Sequence, residues 1–266
     1  MKGARPTPRL VFGSSVSAGD RVLPEEVAVA LSFNGTTQAV MMATPADLED
    51  FGVGFALTEG IARPEEILSV EVVEVARGVD VQVWLAPQAE ARLAARRRVM
   101  AGPVGCGLCG IDSIDQALRE VPVVGPSRFR MTPSQVLAAV AALPGEQRLH
   151  DATRAVHGAA FWNGRVMLAR EDVGRHNALD KLVGGMVRED IRPEGAVVLT
   201  SRVSTDMVQK VAMLGAPMVI AVSAPTVAAV ELAEASGVTL VALAKGDRFE
   251  VFSHTDRILT EVPHVG

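Results

Sequence analysis

Apolar and polar positions divide the chain into two stretches of different rhythm. From Glu25 to Met42 the run EEVAVALSFNGTTQAVMM reads as two strands on either side of Asn34-Gly35, a strong short-range hairpin signal. Thr44-Pro45 predicts a helix start, with Leu48, Phe51 and Phe55 at helical spacing and Gly60 near the end. Ser69–Val75 and Val79–Leu85 predict a second strand pair turning at Arg77-Gly78, and the Ala/Arg-rich Ala89–Met100 predicts a further helix. Residues 1–20 read as a loose tail.

Beyond Met131 the rhythm changes. A helix over Pro133–Leu143 precedes four apolar runs: Val166–Ala169, Val197–Thr200, Met218–Val222 and Val238–Leu243. Helical stretches separate them over Asn177–Val187, Ser204–Leu214 and Thr226–Ser236, the last closed by Gly237. Strands alternating with helices of about 10 residues imply parallel βαβ units. With VPVVGPSRFRMTP as the linker, the expected organisation is a tail over 1–20, a smaller α+β domain over 21–125 and an α/β domain over 126–266.

Ligands of open parallel sheets collect outside the carboxyl ends of the strands, and the polar residues of this half fall there. Ser201, Arg202, Ser204 and Thr205 follow one predicted strand, Ser223 to Thr226 follow the next, and EDVGRHN follows Val166–Ala169. Asn177 is placed to cap the helix after it, with Asp180 at the third position. Three helix N-termini are thus expected at one edge, each with unpaired N–H groups and the positive end of a dipole. Arg202, Arg175 and Lys210 add charge, so an anionic, phosphorylated ligand suits the edge. Each strand–Ser–helix turn has a plainer reading, because Ser204 and Ser223 as N-caps are worth about 1 kcal/mol each without any ligand. His176 is divided evenly between ligand and capping roles, and His157, beside Gly158 in an apolar stretch, reads as a core histidine.

Composition narrows the function. The formal charge is −5, with 26 basic and 31 acidic residues, which argues against general nucleic-acid binding. No apolar run reaches the roughly 18 residues that span a bilayer, and no apolar segment follows the basic N-terminus, so neither membrane insertion nor secretion is expected. The expected compartment is the cytoplasm, and two cysteines cannot form a disulfide framework there.

Those two cysteines lie in AGPVGCGLCGIDS, where Gly102, Gly105, Gly107 and Gly110 resist helix and strand alike and predict a mobile loop. Ile111–Arg119 is expected to form a short helix behind it. A helix start and nearby basic groups lower a thiol pKa, and Cys109 precedes that helix while Arg96–Arg98 stand upstream. Three chemistries are open to Cys106-Gly107-Leu108-Cys109. Zinc needs mixed ligation with histidines. A thioredoxin-like pair expects a strand before the motif and a helix at it. A persulfide carrier needs one accessible thiolate, with the second cysteine as helper.

GCGLCG, followed in order by HGAAF, EDVGRHNALDKLVG, LTSRVSTDMVQK, AVSAPTVAAVELAE and AKGDRFEVFSH, resembles the formate dehydrogenase accessory sulfurtransferase family (FdhD/NarQ type). The resemblance runs from about Pro24 to Ile258 and includes TPADLEDFGVGFALTEG. It implies a cytoplasmic homodimer whose C-terminal domain is cytidine-deaminase-like. It also implies that the protein accepts persulfide sulfur from a cysteine desulfurase. The sulfur then passes to the molybdenum of the bis(molybdopterin guanine dinucleotide) cofactor, which is the cargo, before insertion into formate dehydrogenase. By position, Cys106 matches the family's persulfide cysteine and Cys109 its partner. Ala244, Lys245, Gly246, Asp247, Arg248 and Phe249 match the cofactor-binding segment, with Arg248 its phosphate contact. Ser201, Arg202, His176 and Ser223 complete the expected cofactor edge.

The chain departs from the family pattern in places. Arg154 and Ala155 stand where glycines are usual, Thr205 and Asp206 replace an aromatic and a glutamate, and Lys245 replaces an arginine. Two other functions are weighed against the carrier. One is a chaperone that holds the cofactor without sulfur chemistry. The other is a zinc hydrolase, disfavoured because Gly158-Ala159 follows His157 where an H-x-E motif is needed.

Overall fold

In a computed structural model of the chain, residues 2–100 and 121–259 are described. They form a mixed α/β structure with a two-stranded ribbon, a four-stranded sheet and a six-stranded sheet.

The ribbon corrects the expected loose tail. β1 (Ala4–Phe12) pairs antiparallel with β2 (Val16–Pro24) along its whole length. Pro6 and Pro8 hid β1 from a reading of strand signals. A two-stranded ribbon is all edge, so prolines whose missing N–H would face outward are tolerated in it. Its base is anchored where Glu25 N donates to Gly3 O at 2.7 Å and Arg21 reaches Thr153 O at 3.4 Å.

The four-stranded sheet has the order β4-β3-β6-β5, formed by β3 (Val27–Phe33), β4 (Thr36–Ala43), β5 (Ile67–Val75) and β6 (Gly78–Leu85). The expected hairpins turn at Asn34-Gly35 and before Gly78, and β3 lies parallel to β6. Alternate residues Val29, Leu31, Phe33, Val81 and Val83 are buried against α1 (Leu48–Thr58), where Phe33 and Phe55 stack with centroids 6.3 Å apart. This helix begins later than Thr44-Pro45 predicts. Both backbone groups of Thr44 are engaged elsewhere, its N–H with Asp172 Oδ2 and its carbonyl with Lys181 Nζ. The helix therefore starts after Asp47, which sits at φ 52°. The predicted helix near Ala89 is α2 (Pro87–Met100). The glycine-rich cysteine loop, Cys106, Cys109 and the expected helix Ile111–Arg119 lie outside the described residues.

α3 (Pro133–Glu146) opens on a capping box between Thr132 and Gln135, and α4 (Arg148–Thr153) follows it. The six-stranded sheet has the order β12-β11-β10-β9-β7-β8. It comprises β7 (His157–Trp162), β8 (Val166–Asp172), β9 (Ala196–Leu199), β10 (Met218–Ala221), β11 (Thr239–Lys245) and β12 (Arg248–Val251). Three helices connect its strands: α5 (Arg175–Arg188), α6 (Thr205–Leu214) and α7 (Val227–Ala235). β9, β10 and β11 are parallel, as the alternation predicts. β7 runs antiparallel to both β8 and β9, so β8 points the same way as β9 to β11. Val197, Leu199, Val219 and Leu240 pack under α5 to α7, while Val198, Ile220 and Val241 pack against α3. Both faces are covered, which is why these strands read as continuous apolar runs.

α1 crosses α5 so closely that each helix presents a glycine to the other's backbone. A Cβ on Gly54 would stand 1.7 Å from Asp180 O, and one on Gly184 would stand 1.9 Å from Asp50 O. Val53 and Leu57 of α1 accordingly join the core of the six-stranded sheet. Among the described residues no helix is long and apolar enough to cross a membrane.

Candidate functional site

Because β8 to β11 point the same way, their carboxyl ends share one edge, and backbone bonds knit that edge together. Thr200 N donates to Gly158 O at 3.1 Å, Val222 N to Leu199 O at 3.1 Å, and Leu243 N to Ser223 O at 3.2 Å. Val203 N reaches across to Ala224 O, and Thr226 N back to Val203 O. The starts of α5, α6 and α7 all stand here, with Gly174, Ser204 and Thr226 as their N-caps. Helix N-termini present unpaired N–H groups and a positive dipole end, so the edge favours an anion.

The structure brings several expected residues to this edge. Ser201 is buried directly after β9, its hydroxyl donating to Arg202 O at 3.0 Å, and the Arg202 side chain is exposed. Ser223 follows β10. Ala244 is buried at the end of β11, and Lys245 pairs with Arg248 across a tight turn through Gly246 (φ 68°) and Asp247. The turn exposes Lys245, Asp247 and Arg248, while Phe249 is half-buried against the α3 face of the sheet. His176 lies at the start of α5 with its Nε2 against Asp206 Oδ2 at the start of α6, a contact that ties two helix N-termini together. Burial works to raise the Asp206 pKa, but hydrogen bonds from His176 and Ser204 outweigh it and hold this carboxyl well below the usual range. Arg175 Nε, beside His176, is buried without a hydrogen-bond partner among the described residues. An unpaired guanidinium N–H at a cluster of helix N-termini fits an anionic group.

Other expectations are corrected. Asn177 does not cap α5: it lies inside the helix, buried, and donates to Met42 O at 2.9 Å and Asp172 Oδ1 at 3.0 Å. Asp172 replaces it at the turn, accepting Gly174 N at 2.8 Å. Lys210 adds no charge to the edge. It is buried with Asp180, Glu59 and Thr58, its Nζ 2.9 Å from Asp180 Oδ1 and 2.8 Å from Glu59 Oε1. A buried ammonium is sustained only by such a set of acceptors. Ser223 is not an N-cap either, since Thr226 Oγ1 accepts Ala229 N at 3.2 Å and does that work for α7. Ser204 occupies its predicted N-cap place without a capping bond.

His157 is not a core residue. It begins β7, half-buried, at the same edge as the helix starts. The reversed strand was missed because His157–Trp162 is almost wholly buried and shows no alternation. Its one signal was the unbroken apolar run after Gly158. Burial, and then the positive charges of Arg175, His176 and His150, push the His157 pKa down. The unfolded chain therefore takes up that proton at a higher pH than the folded chain does. Stability from neutral His157 is whole above the ordinary histidine value of 6.5 and is lost as pH falls below it. Urea midpoints measured from about pH 7.5 to about 5.5 are expected to fall further for the wild type than for His157→Gln. Equal slopes would show that His157 is not held neutral.

The same chain organisation recurs in known proteins. Residues 24–259 match the model of the FdhD/NarQ family. A curated relative from Agrobacterium fabrum, "Sulfur carrier protein FdhD", is 54% identical over 91% of each chain. A protein of the same name from Bordetella petrii is 46% identical, covering 92% of this chain and 88% of its own. A solved structure described as a formate dehydrogenase accessory protein from Desulfotalea psychrophila superposes with a TM-score of 0.76 at 27% identity, covering 96% of this chain and 99% of its own. The match spans both sheets and the edge between β8 and β11, and on it the chain belongs to the FdhD/NarQ family.

Proposed function

We propose that this protein is a sulfur carrier serving formate dehydrogenase, and that it loads sulfur onto the molybdenum of a bis(molybdopterin guanine dinucleotide) cofactor held at the carboxyl edge. The observation that carries the sulfur-carrier reading is the near full-length similarity to curated sulfur carriers at 42–54% identity. The edge supports the cargo: two guanine dinucleotide arms bring phosphates, and helix N-termini, Arg175, Arg202 and Arg248 are the groups that recognise phosphates.

In the reaction, the Cys106 thiolate attacks the outer sulfur of a desulfurase persulfide. That S–S bond breaks, the desulfurase thiolate leaves, and Cys106 carries the sulfur as a persulfide. To become a sulfido ligand the sulfur must gain two electrons. Cys109 supplies them by closing a disulfide with Cys106, which a cellular thiol then reduces. Cys106 and Cys109 are the only cysteines of the chain. This chemistry belongs in the reducing cytoplasm. We further read the protein as a homodimer, and its C-terminal sheet as cytidine-deaminase-like, a reading that the reversed β7 between β8 and β9 supports.

Intact mass after incubation with an active cysteine desulfurase and cysteine tests the carrier. Wild type is expected to gain one thiol-labile sulfur, and Cys106→Ala none. Full activation of formate dehydrogenase by Cys106→Ala would overturn the reading in favour of a cofactor chaperone.

A further inference from the structure

Among the described residues the β1–β2 ribbon has no third strand and no helix along most of its length. A two-stranded ribbon is at best marginally stable in water by itself. Nine residues of strand reach about 30 Å, which carries the turn end far from the anchor at Gly3 and Arg21. That far end is apolar and uncovered: Leu10 is 61% exposed, Phe12 76% and Val16 61%. Side chains of this size gathered at the end of an arm mark a contact surface.

The four-stranded sheet offers a matching surface. Its inner face is covered by α1, and its outer face exposes Val40, Met42, Val73, Val75 and Trp84. The registers Val40 to Ala30, Ala30 to Asp80 and Asp80 to Val73 place these residues on one side of the sheet. The charges are complementary. The ribbon exposes Arg5 and Arg9, and the outer side of the sheet carries Glu71 and Asp80, placed there by the registers Glu71 to Gln82 and Val73 to Asp80. In this chain the ribbon does not lie on that face; it rises from its base beside α4, where Arg21 meets Thr153.

We propose that the ribbon is a dimer arm, which lays its apolar end and basic stem across the outer face of the four-stranded sheet of a second copy. The inference rests on the homodimer of the proposed reading and names its surface. Two copies exchanging arms make a reciprocal, closed contact, in which each covers the other's exposed face. The family match begins at residue 24, so the arm lies outside the segment that defines the family.

Sedimentation at micromolar concentration tests it. Wild type is expected to be dimeric. The pair Phe12→Asp and Val16→Asp on the arm, or Val40→Arg and Val73→Arg on the face, is expected to raise the dissociation constant by about 100-fold or more. All four positions are exposed, so far-ultraviolet circular dichroism should stay unchanged. In a Cys106→Ser, Cys109→Ser background, a tagged Phe12→Cys copy mixed with an untagged Val40→Cys copy should form a mixed disulfide-linked dimer. A monomeric wild type, dimers indifferent to the face pair, or Phe12→Cys linking only to itself would overturn the arm. A monomer that still takes up sulfur on Cys106 retires the arm and leaves the carrier reading standing.

Discussion

Gly54→Ala or Gly184→Ala is expected to destabilise the protein by about 3–5 kcal/mol, among the largest effects available from adding a single methyl group. Alanine is the better helix former by about 1 kcal/mol, so local propensity points the other way. Sterics decide the sign. The new carbon would lie 1.7 Å from Asp180 O in one case and 1.9 Å from Asp50 O in the other, against backbone that has no rotamer to change. The helices must part, and much else rests on their spacing. Lys181 Nζ stands 5.8 Å from the Phe51 ring centroid, Lys210 Nζ 5.8 Å from that of Phe55, and Thr58 Oγ1 donates to Asp180 Oδ1 at 2.7 Å. Gly145→Ala in α3, with nothing within 4 Å of the added carbon, serves as the control and should be neutral or slightly stabilising. Urea midpoints report the result; a Gly54→Ala midpoint equal to that of Gly145→Ala would mean the crossing is looser than described.

Asp172→Ala is expected to cost about 3–5 kcal/mol, because it leaves a buried ammonium without its counter-ion. Lys181 and Asp172 are both fully buried, with Nζ 2.5 Å from Oδ2. The same carboxylate accepts Thr44 N at 3.0 Å, Gly174 N at 2.8 Å and Asn177 Nδ2 at 3.0 Å. Burial pushes the Lys181 pKa down and Asp172 opposes it, so loss of Asp172 leaves the lysine to shed its proton, which caps the cost. Adding Lys181→Met should recover part of the loss by removing the charge, while the three N–H donors stay unpaired. No recovery would place the damage in the turn rather than in the ion pair. Gly174 is the N-cap of α5, so on the proposed cofactor site Asp172→Ala should also weaken guanine-nucleotide binding.

How much of this was legible beforehand varied with the physics of each residue. The strands β9, β10 and β11 and the helices between them were readable because their periods are local and both sheet faces are buried. The edge at their carboxyl ends followed from topology, and so did Ser201, Arg202 and Ser223. His176 was assigned there without its partner Asp206, which lies 30 residues away on another helix. Lys210 and Asn177 were misplaced for a related reason. Each is polar and lies in a helix that starts at the edge, yet each points into a contact with the N-terminal half that no local pattern encodes.

By itself the sequence determined the family, the order and type of most elements, the pairing of β3 with β4 and β5 with β6, and the presence of just two cysteines. These depend on side-chain period, turn chemistry and residue identity, which are properties of neighbours along the chain. Only the tertiary structure decided that β7 is reversed, that residues 4–24 form a ribbon, that Gly54 and Gly184 exist to let two helices touch, and that Asp172–Lys181 and Asp180–Lys210 are buried pairs. The helix contact brings together residues more than a hundred positions apart, and the ribbon and the reversed strand lie where prolines and an unbroken apolar run mask the strand period. The ion pairs depend on which groups lose their water, and burial is a property of the packed chain alone.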